Sequence, residues 1–173
     1  MAGVMRFEHG LLRVHQLDRA VEFFKHVMHL TEIAREDGIV YLGCGLDGNY
    51  DVALTEGGTG LSRFSFRADS EEELDQYKKR LKDHGVPFET IENGREPGVL
   101  GGIRFQLPGK LDMELIIAAA ERYHRPYAPP VLAGRSSITP LDADHITICT
   151  TDVKREVEFM QNVLGFLVSD VTL

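Results

Sequence analysis

The feature that most constrains this chain of 173 residues is an ungapped internal repeat. Residues 8–30 (EHGLLRVHQLDRAVEFFKHVMHL) align with residues 144–166 (DHITICTTDVKREVEFMQNVLGF) at a constant offset of 136. Two amphipathic units can resemble each other by chance, whereas duplication of a whole module predicts a connector between the copies. Six of the 23 positions are identical: His9 and His145, Arg19 and Arg155, Val21 and Val157, Glu22 and Glu158, Phe23 and Phe159, and Val27 and Val163.

The local patterns of the first copy predict a strand followed by an amphipathic helix. FEHGLLRV at 7–14 has the length and bounds of a strand, and apolar residues then recur at three- and four-residue steps after Asp18. A second helix is predicted from Ser70, where Ser70 and Glu73 form a capping box, to a stop at Gly85. Further strands are predicted at 39–45, 50–56, 61–68, 103–109 and 112–120, with residues 86–102 as a loop.

A proline-rich stretch separates the two copies of the repeat. Four of the seven prolines lie between Pro126 and Pro140, a density that interrupts helices and central strands. We therefore predict a domain at 1–120, a connector at 121–142, and the first strand and helix of a second domain at 143–173. Strands with only occasional helices favour the α+β class over a doubly wound parallel sheet.

Composition excludes several functional classes. The formal net charge of −8 and the scattered basic residues argue against nucleic acid as a partner. The sequence has neither a signal-peptide pattern nor an apolar run long enough to span a membrane, so we expect a cytoplasmic protein. Cys44 and Cys149 lie in apolar contexts without CxxC spacing, and we predict that both are reduced core residues.

Four motifs together resemble the vicinal oxygen chelate superfamily. They are a strand that opens with His, a helix carrying VEFF or VEFM, the strand GLSRFSF, and a late strand PGKLDMELI. The ending VLGFLVSDV and the 136-residue offset are most similar to type I extradiol ring-cleaving dioxygenases, the group that includes catechol 2,3-dioxygenases. The resemblance implies paired βαβββ modules, with the second module incomplete at Leu173.

The resemblance also implies a metal site built from a first-strand His, a middle-strand His and a last-strand Glu. Two His and one carboxylate suit non-haem Fe(II), or less often Mn(II), and leave positions open for a catecholate and dioxygen. In the first copy, His9 matches the first-strand ligand and Glu114 matches the last-strand ligand. Arg63, however, stands where the middle-strand His is expected. Because a guanidinium has no lone pair to donate, we predict a domain without metal, a structural His9 and an Arg63–Glu114 pair.

In the second copy, His145 matches the first ligand of the working site. The same offset from Arg63 and Glu114 places the other two ligands near positions 199 and 250, beyond Leu173. We therefore predict that His145 is one ligand of an incomplete site and that this chain binds no stoichiometric metal. The rival spacing HVMH puts His26 and His29 on neighbouring helix positions, but His29 occupies the helix stop filled by Gly165 in the second copy, which favours a surface role.

These features predict part of an enzyme that cleaves small aromatic diols with dioxygen, and a chain that is inactive by itself. Two alternatives remain at this stage: a non-catalytic ligand-binding or assembly module, and a glyoxalase-like isomerase or lyase of the same superfamily. We expect a homo-oligomer. We also expect the apolar face of Val157, Val163 and Leu164 to dock on the first domain or on another chain.

Overall fold

The computed structural model describes residues 6–45, 48–119 and 140–171. In these ranges no helix is both long enough and apolar enough to cross a bilayer. The elements are, in order, β1 (Arg6–Val14), α1 (Leu17–His26), β2 (Thr31–Glu36), β3 (Ile39–Gly43), β4 (Val52–Glu56), β5 (Gly60–Arg67), α2 (Glu71–Asp83), β6 (Phe88–Ile91), β7 (Val99–Gln106), β8 (Asp112–Ala118), α3 (Val153–Phe159) and a π-helical segment (Met160–Leu164).

Eight strands form one mixed sheet in the order β2-β3-β4-β1-β5-β8-β7-β6. β1 pairs parallel with β4, β5 pairs parallel with β8, and β1 and β5 pair antiparallel at the centre. Residues 6–56 and 60–118 are thus two βαβββ modules joined side by side. The predicted α+β class with paired βαβββ modules is confirmed, but both modules of the observed pair are complete within residues 6–118, so the incomplete second module predicted at 143–173 is not one of them.

Two strands were missed in the sequence, and both are edge strands of this sheet. β2 is the charged segment TEIARE, and β6 is the four-residue segment FETI inside the predicted loop at 86–102. Edge strands are commonly short and carry charged residues, which suppress pairing with other chains. Their sequences therefore lack the apolar alternation by which the central strands were predicted.

Helices α1 and α2 cover one face of the sheet and enclose most of the core. Val21 of α1 packs with Leu54 and its neighbours, and α2 packs through Tyr77 and Leu81 on β7 and β8. The predicted start of α2 is confirmed, since the Ser70 hydroxyl accepts a hydrogen bond from the Glu73 amide at 3.2 Å. The opposite face carries the small apolar cluster of Leu11, Tyr41, Tyr50 and Ala53 and the polar residues described below.

The segment 140–171 forms a helix but not the predicted strand. Residues 143–150 do not form a strand. A strand needs a neighbour to hydrogen-bond with, and no described strand pairs with these residues. Asp152 caps α3 by accepting from the Arg155 amide at 3.0 Å, and Gly165 ends the π-helical segment with φ = 79°. His29, the equivalent position in the first copy, also has a left-handed φ of 57° and is partly exposed.

This segment docks on the first domain, one of the two outcomes expected from the sequence. Val163 and Leu164 are buried in the same core cluster as α2, whereas Val157 remains 36% exposed. Two polar contacts accompany them: the Gly109 amide donates to Glu156 Oε1, and the Ala143 amide donates to Asp51 Oδ1 at 3.0 Å. Most of the predicted connector lies outside the described residues.

The two cysteines have different environments. Cys44 is buried beside β3, as predicted, but Cys149 is exposed, so its assignment to the core was wrong. The ITICTT pattern predicted a half-buried strand at this position. Since 143–150 does not join the sheet, one side of the segment remains open to solvent.

Candidate functional site

His145, the residue predicted to be a metal ligand, belongs to no cluster of three or more ligand-type side chains among the described residues. Its side chain is 83% exposed, and its Nδ1 lies 2.5 Å from Asp144 Oδ1. No second histidine or buried carboxylate of the described ranges is gathered around it. Its role as a ligand therefore stays a prediction.

The central strands bring together a different set of side chains on the face opposite the helices. Sheet register places His9 of β1 beside Ser65 of β5, and Ser65 beside Glu114 of β8. All three residues are buried. Arg63 lies opposite Leu11 and Asp112 instead. Ser65 therefore completes the row between His9 and Glu114. The prediction from the sequence that Arg63 takes this position was wrong.

Hydrogen bonding in this row fixes the proton on His9. Ser65 Oγ donates to Glu114 Oε2 at 2.6 Å, and the Tyr50 hydroxyl donates to Glu96 Oε2. Both hydroxyl oxygens also lie 2.7 Å from His9 Nε2. Because each hydroxyl has one proton and directs it to a carboxylate, Nε2 must be the donor in both contacts. The prediction of a hydrogen-bonded strand histidine is confirmed.

Two arginines neutralise the two carboxylates. Arg63 forms an ion pair with Glu96, and its Nε lies 3.1 Å from Glu114 Oε1, which confirms the predicted Arg63–Glu114 contact. Arg104 of β7 adds a contact from Nε to the same Glu114 oxygen at 2.7 Å. Two guanidinium groups thus balance two buried carboxylates, the arrangement that makes buried charge tolerable.

The pKa values in this cluster follow from the same contacts. Burial alone raises the pKa of Glu114, but His9, Arg63, Ser65 and Arg104 together lower it to about 2. Burial and the neighbouring Glu96 carboxylate raise the pKa of Tyr50 well above its ordinary value. Glu114 is therefore a carboxylate and Tyr50 a neutral hydroxyl donor at neutral pH.

We define the polar cluster as His9, Tyr50, Arg63, Ser65, Glu96, Arg104 and Glu114. Sequence reasoning found three of its members and missed Tyr50, Ser65, Glu96 and Arg104. Ser65 could have been found from strand alternation, since it shares a face with Arg63 on β5. Glu96 carried no such signal, because it lies between β6 and β7 in a stretch without periodicity.

His9, Glu96 and Glu114 have ligand-type atoms within 4.8 Å of one another, so the cluster can be tested as a site for the metal that the fold implies. The donor set does not fit such an ion. His9 Nε2 is already within hydrogen-bond distance of Ser65 and Tyr50, and the carboxylate oxygens already accept from Arg63 and Arg104. A divalent cation would have to displace two guanidinium groups.

The similarity of this chain to known proteins covers both the first domain and the segment with α3. A family model described as the catechol 2,3-dioxygenase-like N-terminal domain matches residues 62–121. The 2,3-dioxygenase LapB from Pseudomonas sp. KL28 superposes with a TM-score of 0.81 at 25% identity, over 95% of this chain and 60% of that one. The chain is thus similar to extradiol dioxygenases over almost its whole length.

Two curated relatives align along nearly the whole chain. A manganese-dependent 2,3-dihydroxybiphenyl 1,2-dioxygenase of Geobacillus genomosp. 3 is 25% identical over 95% of this chain and 55% of its own length. The metapyrocatechase of Pseudomonas sp. strain CF600 is 27% identical over 97% of this chain and 57% of its own length. The chain thus spans about half the length of the curated relatives that it matches.

Proposed function

We propose that this chain is the N-terminal part of an extradiol dioxygenase, which cleaves a catecholic ring next to its diol with dioxygen and Fe(II) or Mn(II). The observation that carries this proposal is the extent of the match to LapB, which covers 95% of the chain and therefore includes α3 as well as the sheet. One of the aligned relatives is named as manganese-dependent. The substrate class follows from the relatives' names.

Within this proposal, residues 1–120 form a domain without metal, residues 121–142 form the connector, and residues 143–173 begin the metal-binding domain. His145 would be the first ligand of that domain. The pairing of Ser65 with His9 supports taking Ser65 as the equivalent of the middle ligand, and the 136-residue offset then gives an expected position of about 201 in place of 199. The expected Glu stays near position 250.

A non-catalytic ligand-binding or assembly role is the second candidate for the chain by itself. It is supported by the polar cluster, in which arginines hold the carboxylates that a metal would need. Among the described residues, the polar cluster and His145 do not provide a complete set of free ligands. In this role the sheet is a scaffold, and the carboxylates in its central row are held in ion pairs with arginines.

The two candidates are separated by metal content and oxygen uptake with a series of catechols. For the 173-residue chain we expect no stoichiometric iron or manganese and no turnover. For the product of the gene's full reading frame we expect one metal per chain and ring cleavage, both lost in His145→Ala but retained in the surface variant Glu56→Gln. Tight one-to-one Fe(II) binding by the 173-residue chain, or a full frame without His and Glu near 201 and 250, would overturn the proposal.

A further inference from the structure

A cleft of about 540 Å³ lies between the first domain and the segment that carries α3. Its walls are residues 84–87 just after α2, the start of the turn between β7 and β8, and α3 with the π-helical segment. This volume is typical of small-molecule sites, which often form where two parts of a protein meet. Neither the polar cluster nor His145 lines the cleft, so it is separate from both candidate sites.

One part of the cleft wall is apolar. It is formed by Val86, Pro87, Leu107, Pro108, Phe159 and Val163. Leu107 and Val163 are buried members of the main core cluster, and Phe159 packs against Phe105 of the same cluster with ring centroids 6.3 Å apart. Core packing therefore holds this wall in place, and an apolar ligand can contact it with little loss of side-chain freedom.

The other part of the wall carries hydrogen-bond donors that have no partner in the protein. Lys110, Arg155 and Asn162 line the cleft and are exposed. Within the described ranges, none of these three side chains forms an ion pair or a hydrogen bond. Glu158 is the carboxylate among the described lining residues, and its Oε1 lies 3.9 Å from Lys154 Nζ, which is outside the lining. Positive charge therefore exceeds negative charge along the described part of the wall.

This local excess of positive charge contrasts with the chain as a whole, which has a formal net charge of −8. Two other surface lysines form ion pairs, Lys25 with Glu32 at 3.0 Å and Lys78 with Asp75 at 2.8 Å. Lys110 has no such partner among the described residues, and its backbone has a left-handed φ of 73°. That conformation is uncommon for residues other than glycine, and strained positions cluster at ligand sites. An anion is therefore the kind of ligand that would balance the charge of the cleft.

We propose that this cleft binds a small aromatic carboxylate. Lys110 and Arg155 hold the carboxylate by charge-assisted hydrogen bonds, to which the planar guanidinium is suited because its donors match two carboxylate oxygens. The Asn162 amide donates a further hydrogen bond. The ring of the ligand lies on the apolar wall beside Phe159, since aromatic pairs attract each other beyond the area that they bury. A bare inorganic anion would leave this wall in contact with water, and a neutral ring would leave both cations unpaired.

The proposal can be tested on the 173-residue chain with 2-naphthoate as the probe. The neutral control is 2-naphthamide, which has nearly the same shape, and the control without an apolar body is acetate. We expect 2-naphthoate to bind at least about tenfold more tightly than either control, because only this ligand offers both a charge and a ring. Titration of ¹⁵N-labelled chain should show amide chemical-shift changes centred on Lys110, Arg155 and Asn162.

The double variant K110Q/R155Q removes the two charges and keeps similar side-chain lengths. It should weaken 2-naphthoate binding at least about tenfold and leave the binding of 2-naphthamide unchanged. The matched control R13Q/K79Q removes the same charge from two exposed residues outside the cleft. It should change the affinity for 2-naphthoate less than about twofold, since solvent and salt screen distant surface charges.

Absence of 2-naphthoate binding, or chemical-shift changes centred outside the cleft, overturns the proposal. Equal affinity for 2-naphthoate and 2-naphthamide or acetate also overturns it, and this comparison on the wild type decides the matter if circular dichroism shows that K110Q/R155Q is unfolded. Equal weakening by R13Q/K79Q would show a general charge effect and would likewise overturn it. The proposed function is tested separately by metal content and oxygen uptake, so the two proposals can fail independently.

Discussion

At the residue scale, the side chains of the polar cluster form ion pairs and hydrogen bonds with one another in the central row of the sheet. Glu114 accepts hydrogen bonds from Ser65 and Arg104 and forms an ion pair with Arg63, so its buried charge is balanced within the sheet. The proton on His9 Nε2 is directed to the Ser65 and Tyr50 hydroxyls, which in turn donate to Glu114 and Glu96. The buried carboxylates are thus both neutralised and hydrogen-bonded, which is the condition for keeping them away from water.

Glu114→Gln should destabilise the protein at neutral pH by about 3 kcal/mol, because it removes one partner of a buried charge network and leaves guanidinium charge uncompensated. The pKa of Glu114 is about 2 in the folded state and 4.5 ordinarily, so the folded state favours the carboxylate. Its contribution is therefore present above pH 4.5 and is lost as pH falls toward 2. Urea unfolding at several pH values should show the wild-type advantage shrinking across this window.

The exposed Glu56→Gln is the control for this experiment, and it should change the free energy of unfolding by less than about 0.5 kcal/mol at every pH. A Glu114→Gln variant as stable as the wild type at pH 7 would show that the ion pairs do not hold the central row together. A difference that is constant from pH 7 to pH 2 would contradict the lowered pKa.

At the element scale, two helices with the same sequence pattern occupy different surroundings. α1 has a complete sheet under its Val21 face and solvent over its Phe23 face. α3 and the π-helical segment have the first domain over the corresponding outer face and no described sheet beneath Val157. Identical residues at equivalent positions should therefore contribute unequally to stability.

Alanine substitution of the four equivalent valines tests this expectation. Val21→Ala and Val163→Ala should each cost about 2 kcal/mol, because they remove buried methyl groups and leave a cavity. Val157→Ala and Val27→Ala should be neutral or slightly stabilising, since alanine has the higher helix propensity at an exposed position. Urea denaturation followed by far-ultraviolet circular dichroism measures all four, and equal costs within each equivalent pair would contradict the opposed docking of the two helices.

At the scale of the whole molecule, the segment 140–171 is attached to the sheet domain at separated points. Apolar packing of Val163 and Leu164 accounts for one end of the segment. At the other end the buried Asp51 carboxyl accepts from the Cys44 amide at 2.7 Å and from the Ala143 amide at 3.0 Å. Asp51 therefore joins β4, the end of β3 and the α3 segment in one hydrogen-bonded unit.

The contribution of Asp51 to the free energy of folding should shrink as pH rises. Burial raises the pKa of Asp51 to about 7, against the lowering effect of the Cys44 and Ala143 amides and with a further rise from Asp142. A raised folded pKa means that the contribution is fully present below the ordinary value of 3.8 and is lost as pH increases through about 7. Urea unfolding at pH values from 4 to 8 should show the free energy of unfolding of the wild type falling relative to that of Asp51→Asn.

Asp51→Asn is the reference variant for this effect, because an asparagine amide does not titrate. Its own stability should carry no contribution from titration at this position over the same range. If the difference in free energy of unfolding between the wild type and Asp51→Asn is constant from pH 4 to pH 8, the pKa of Asp51 is not raised in the folded state.

The sequence by itself determined the periodic elements and the repeat. α2 could be placed from Ser70 to Gly85 because its cap, its charges and its apolar spacing are local properties of the chain. The His9 strand, the helix stop at His29 and Gly165, and the family resemblance could be recognised for the same reason. The edge strand β2 was not, because a charged edge strand exists through pairing with its neighbour rather than through its own pattern.

Only the tertiary structure decided which side chains share the site and which helix face is covered. Ser65, rather than Arg63, completes the row between His9 and Glu114, because strand register is set by long-range pairing and a local bulge in β1. Tyr50, Glu96 and Arg104 join the polar cluster from distant parts of the chain. Val27 and Val163 are identical in the repeat, yet one is exposed and the other buried, since burial depends on what the rest of the molecule places beside each helix.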